Sequence, residues 1–195
     1  FSSKIFYENK LKADSSVAHH LLYEGDAPLA FIDTAGCGFE ENSEGTSTIN
    51  PEEATFLFTH LTQLVTELND RLQKENLPTI AIISPYKEQI NILKDLLLHS
   101  PILFAYGDKI SVNTIDSFQG QEKETIIVSL VRSNDDGDIG FLKDYRRMNV
   151  TVTRAKEKLF VIGDSATIGA HPFYARMLTH FESRGAYRSV WEEPS

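Results

Sequence analysis

The sequence predicts an α/β fold, a doubly wound and mainly parallel sheet with helices on both faces. Short aliphatic and β-branched runs alternate along the chain with segments whose apolar residues recur every three or four positions. At 195 residues the chain is long enough for one large domain with its own core and too short for two. In sheets of this kind the loops at the carboxyl ends of the strands build the site, so chemistry is expected there.

Residues 1–27 form a polar lead-in, and residues 28–195 carry the core. Leu29-Ala30-Phe31-Ile32 reads as a buried strand running into a turn at Asp33-Thr34-Ala35-Gly36. Glu40 to Thr48 is acidic and rich in small polar residues, which predicts a solvated, mobile connection. Asn50-Pro51-Glu52-Glu53 then starts a helix, with Asn at the cap, Pro at the first helical position and Glu53 completing a capping box. Ala54, Leu57, Leu61, Leu64, Leu68 and their neighbours continue that helix, which ends before Pro78. Thr79–Ile83 is a strand and Glu88–Leu98 a helix; Lys109–Ile115, Thr125–Val131 and Lys158–Ile162 are further strands. Arg146–Lys156 and Pro172–Arg184 are the remaining helices.

Composition narrows the function. A formal net charge of -9 argues against a standalone nucleic-acid module, because phosphate affinity comes largely from Lys and Arg, yet it permits a local groove of cations or backbone donors. Cys37 has no partner for an internal disulfide, and no Cys or His pair has zinc-site spacing, so a reducing, cytoplasmic setting and no metal site are expected. No apolar run approaches the roughly 20 residues that span a bilayer, so no membrane partner is expected. The absence of an initial Met suggests a fragment.

Three segments concentrate polar residues beside strands: Ser84-Pro85-Tyr86-Lys87-Glu88-Gln89, Val112 through Glu124, and Arg146-Arg147-Met148-Asn149-Val150-Thr151-Val152-Thr153-Arg154-Ala155-Lys156. Taken singly, each is ordinary turn chemistry or a solvated charged face. Together and in this order they resemble motifs IV, V and VI of the superfamily-one helicases. Asp33-Thr34-Ala35-Gly36-Cys37-Gly38, Val131-Arg132-Ser133-Asn134, Gly140-Phe141-Leu142 and the early Phe6-Tyr7 to Leu11 segment resemble the upframeshift and immunoglobulin-mu-binding branch. The resemblance covers nearly the whole chain.

The resemblance implies a second RecA-like motor domain over residues 1–195, a P-loop NTPase fold without its own P-loop. No G-x-x-x-x-G-K-[ST] is present, so ATP with its magnesium would be held mainly by a first, N-terminal RecA-like domain of the same protein, with the nucleotide in the cleft between the two. It further implies that Arg154 is an arginine finger, that Glu122 of the G-x-E pattern reaches the nucleotide sugar beside Gly120, and that Arg147 accompanies them, with support of its helix as its plainer role. Thr114 and Ser117 would hydrogen-bond a phosphate of single-stranded DNA or RNA, and Ser84 would either do the same or shape the Pro85 turn. If Arg146–Lys156 is one helix, Arg147 and Arg154 lie about two turns apart on one face.

Two positions depart from the pattern. Some relatives carry Arg where Pro51 stands and many carry Arg where Gln121 stands, which leaves open a catalytically degenerate α/β interaction module derived from a helicase. A GTPase reading of Asp33-Thr34-Ala35-Gly36 fails, because the P-loop and a downstream guanine reader are both missing.

Overall fold

A computed structural model describes residues 21–24 and 26–192, so most of the lead-in, including the Phe6-Tyr7 to Leu11 segment, lies outside the described residues. Six strands form one sheet: β1 (Leu29–Asp33), β4 (Ile80–Ser84), β5 (Ile110–Thr114), β6 (Lys123–Ser129), β7 (Ala155–Gly163) and β8 (Tyr187–Ser189). Their order is β5-β4-β6-β7-β1-β8, and every neighbouring pair is parallel. A parallel sheet is covered on both faces. Helices α1 (Pro51–Arg71), α2 (Lys87–His99) and α3 (Pro101–Tyr106) pack on one face; α4 (Tyr145–Val152) and α6 (Pro172–Ser183) pack on the other, with the short α5 (Ser165–Ile168) beside them. The alternation of β4 shows how the sequence sorts its side chains: Ile80 and Ile82 enter the first core, Ala81 and Ile83 the second.

Helix α1 begins as its sequence dictates, with the Asn50 side chain accepting the Glu53 amide at 2.9 Å and Pro51 in the first turn. The capping box is not closed. Glu53 turns inward, and the Asn50 amide donates instead to Gln89 Oε1 at 2.9 Å. The segment expected to be an irregular connection is a hairpin, β2 (Asn42–Glu44) against β3 (Ser47–Ile49), turning at Gly45-Thr46 with Gly45 at φ +59°. Helix α3 and strand β8 were absent from the sequence expectations, although Ser100-Pro101 is a cap followed by a first-turn proline.

His60 of α1 lies flat on Phe160 of β7, ring centroids 4.1 Å apart. Burial, aided by the positive charges of Lys158 and Arg188, pulls its pKa down to about 4. A folded-state pKa below the unfolded one means that the unfolded chain binds the proton more tightly. His60 should therefore contribute fully at neutral pH, and its contribution should be lost as pH falls from the ordinary histidine range through about 4. Melting temperature against pH for the parent and His60→Phe should run parallel near neutral pH and separate as pH falls toward 4, the parent losing stability that the variant keeps; curves parallel throughout would contradict this.

Candidate nucleotide and strand interface

The chain leaves the carboxyl end of β5 at Thr114 and must begin β6 at the opposite end of the sheet, because both strands run parallel to β4 between them. Residues 115–122 make that crossing. Phe118, 1% exposed, anchors it in the second core; turn bonds from the Phe118 amide to Thr114 O and from the Gln121 amide to Phe118 O fold it, and Gly120 takes φ +85°. The site residues therefore do not all gather at carboxyl strand ends as expected. Thr114 and Ser117 stand at the carboxyl end, whereas Gly120, Glu122 and Arg154 stand at the amino ends of β6 and β7.

At the carboxyl end the Thr114 and Ser117 hydroxyls are 2.8 Å apart, and the Ser117 amide also donates to Thr114 Oγ1. Ser117 is exposed and Thr114 half-buried, so their hydroxyls face outward together. Ser84 pairs with Thr114 in register, but it is fully buried and its Oγ accepts the Tyr86 amide at 3.3 Å. Its hydroxyl shapes the Pro85 turn and is not brought to the surface beside Thr114.

At the amino end Lys123 pairs with Ala155, and the Lys123 amide donates to Arg154 O. That register sets Glu122 against Arg154, with Arg154 Nη1 3.4 Å and Lys156 Nζ 3.8 Å from its carboxylate. Helix α4 stops at Val152, so Arg154 does not share a helix face with Arg147; it sits in the turn that Arg154 N to Thr151 O closes before β7. Both arginines nonetheless line one cavity of about 360 Å³ with Gly120, Gln119, Arg146 and Thr151. Arg147 is braced on both sides, by Asp116 at 2.9 Å and Asp144 at 2.8 Å, which ties α4 to the crossing segment.

The two ends differ in what they can do. The Arg154 and Glu122 side chains are 37% and 53% exposed, and an ion pair so wetted stabilises by roughly 0–1 kcal/mol. Arg154 can exchange Glu122 for a stronger anion at little cost. Its Nε is buried without a hydrogen-bond partner among the described residues, an orphan donor that a phosphate oxygen would satisfy. The cavity thus fits a phosphate chain. Among the described residues no group of three His, Cys, Asp or Glu is placed to hold a metal ion, and no helix is long and apolar enough to cross a membrane.

A buried polar network beneath the carboxyl edge escaped the sequence reading. Glu53, fully buried, accepts from Ser129 Oγ at 2.5 Å and from the Val131 amide at 3.1 Å. Gln89 donates to Asn50 O and Ser129 Oγ, which gives that residue its role. Val131 is held at φ +72°, a conformation a β-branched residue avoids, in a tight turn closed by Arg132 N to Leu130 O. Arg132 leaves that turn to pair with Glu41, just before the hairpin, and with Asp138, each at 2.9 Å. Gly140 closes the same knot at φ +49°, where an added Cβ would stand 2.4 Å from Arg132 Nη1 and 2.6 Å from Tyr86 Oη. Gly140→Ala should accordingly cost about 1 kcal/mol or more in denaturant melts; an unchanged midpoint would contradict that packing.

The crossing segment of this parallel α/β sheet thus has the Glu122–Arg154 pair beside one end and the paired Thr114 and Ser117 hydroxyls at the other. Residues 1–166 match the family model described as an AAA domain. The chain is 36% identical over 205 residues to the DNA-binding protein SMUBP-2 of Rattus norvegicus, covering 98% of this chain and 19% of that protein. It is 37% identical over 184 residues to the DNA polymerase alpha-associated DNA helicase A of Saccharomyces cerevisiae, covering 84% and 25%. An uncharacterized ATP-dependent helicase of Methanocaldococcus jannaschii is 36% identical over 193 residues, covering 91% and 26%. The chain belongs to the AAA-domain family, within the superfamily-one helicases of the upframeshift and immunoglobulin-mu-binding type. It spans about a fifth to a quarter of the length of these relatives.

Proposed function

We propose that this chain is the C-terminal motor domain of an ATP-dependent DNA or RNA helicase, supplying one wall of an ATP cleft shared with a first RecA-like domain. The observation that carries the reading is Arg154, 3.4 Å from Glu122, lining a cavity with Gly120 and Arg147 in a chain of this family. ATP with magnesium, when bound, supplies the phosphoanhydride whose cleavage drives movement. On cleft closure Arg154 leaves Glu122 and donates to the γ-phosphate, while the freed Glu122 carboxylate accepts from the ribose hydroxyls. Arg147, held by Asp116 and Asp144, fixes α4 and hence the turn that carries Arg154.

Thr114 and Ser117 bind a backbone phosphate of the single strand through hydroxyls and an amide, which needs no net positive charge. The crossing segment joins the two ends rigidly through Phe118, so a shift of Glu122 and Arg154 on closure is transmitted to Thr114. Chemistry and strand movement share one short connector.

The isolated chain should fold, show no ATP turnover above background, and bind a single strand weakly with strong suppression by salt. Turnover by the pure chain, or tight binding insensitive to salt, would overturn the shared-cleft reading. In the full-length protein Glu122→Ala should weaken nucleotide use more than strand affinity; the reverse pattern would remove the Glu122 assignment.

A further inference from the structure

We propose that the exposed ring of Phe141 is a stacking platform for one base of the single strand, an inference that rests on the strand-binding reading of Thr114 and Ser117. Phe141 is 66% exposed, yet its backbone is pinned on every side. Its amide donates to the hydroxyl of the buried Tyr86 at 3.2 Å, and its ring leans on the Tyr86 ring at 5.4 Å between centroids. On one flank Gly140 is wedged against Arg132 and Tyr86; on the other Leu142 is buried and its carbonyl accepts the Tyr174 hydroxyl at 2.8 Å. Asp138, bridged by Arg132 and Lys143 at 2.9 Å each, closes the loop from below. The loop thus holds a large apolar ring in a fixed place while most of it stays open to solvent.

The ring's position points to its occupant. Tyr86 lies two residues past Ser84, which is in register with Thr114, so Phe141 stands at the same carboxyl edge as the Thr114 and Ser117 hydroxyls, beside the neighbouring strand. Its surroundings are polar: Lys143 is 68% exposed, Asp138 is half exposed, and Lys87 lies exposed where α2 leaves Tyr86. A protein partner seeking an apolar patch would find one ring in a charged rim. A nucleobase presents a planar π face with a phosphate on each side, and matches that arrangement: ring to base, lysines and hydroxyls to phosphate. Stacking of this kind accepts any base and needs no positive net charge, in keeping with a chain of formal charge -9.

The test measures binding of the full-length protein to oligo(dT) and to an abasic sugar-phosphate oligomer of equal length, by fluorescence anisotropy. Phe141→Ala should weaken oligo(dT) binding on the order of 5- to 150-fold and leave abasic binding unchanged, while Phe141→Trp should keep parental affinity for oligo(dT). Thr114→Val should weaken both ligands by similar factors. Equal loss on both ligands with Phe141→Ala, or no loss on either, would overturn the stacking role while the Thr114 result upholds strand binding. If the parent binds neither ligand, the strand-binding reading itself falls and this inference with it.

Discussion

Arg154→Ala in the full-length protein is expected to lower strand-stimulated ATP turnover on the order of 10³-fold or more, with fold and strand affinity near parental. The size follows from what Arg154 touches. Among the described residues its charged partner is Glu122 at 3.4 Å, a wetted pair whose loss costs roughly 0–1 kcal/mol and no chemistry. A guanidinium aimed at charge developing on the γ-phosphate stabilises the transition state by several kcal/mol, so the two roles are separated by orders of magnitude in rate. Arg154→Lys should fail nearly as badly, because lysine lacks the planar fork and Arg154 uses that fork to face the cavity while its Nε is buried. Arg147→Ala should do less and act through stability, since Asp116 and Asp144 already occupy that guanidinium. Turnover of Arg154→Ala near the parental rate would remove the finger.

Glu53→Ala is expected to destabilise the domain by about 3 kcal/mol or more, whereas Glu53→Gln should be close to neutral at pH 7. Truncation leaves the Ser129 hydroxyl and the Val131 amide unpaired in the interior and opens a hole beneath a turn already strained at φ +72°. Burial pushes the Glu53 carboxyl up to about 8, against the opposing pull of the Ser129 and Val131 donors. A folded-state pKa above the unfolded one means that the native state binds the proton more tightly, so the contribution is full in acid and is lost as pH rises through about 8. Glutamine keeps the acceptor and cannot ionise. Chemical denaturation across that range should show the parent losing stability with rising pH while Glu53→Gln stays flatter; equal slopes would contradict a buried, protonated Glu53.

The fold was legible because its signals are local and repeated. The alternation of Ile80-Ala81-Ile82-Ile83 and the Asn50-Pro51 helix start each need only a few neighbours to be understood. What was not legible depends on partners far along the chain. Glu53 occupies the capping-box position, and nothing local reveals that Gln89 takes the cap amide and frees the carboxylate for Ser129 and Val131. The Arg147 to Arg154 spacing suggested one helix face, but the chain must turn into β7 to pair Lys123 with Ala155, and α4 ends two residues before Arg154. The motif residues were found from their order in the sequence; that they divide between opposite ends of the sheet follows only from the strand order β5-β4-β6, which no periodicity encodes. Gly45 inside a two-residue loop was a readable hairpin signal, masked by the acidic, small-residue composition around it.

The most direct measurement is a crystal structure of the full-length protein closed on magnesium and a non-hydrolysable ATP analogue. The Arg154 guanidinium is expected to have left Glu122 and to stand at hydrogen-bond distance, about 3 Å, from a γ-phosphate oxygen, with the Glu122 carboxylate at similar distance from a ribose hydroxyl. A closed complex in which Arg154 and Glu122 remain paired with each other and neither reaches the nucleotide would contradict the shared cleft at the centre of this mechanism.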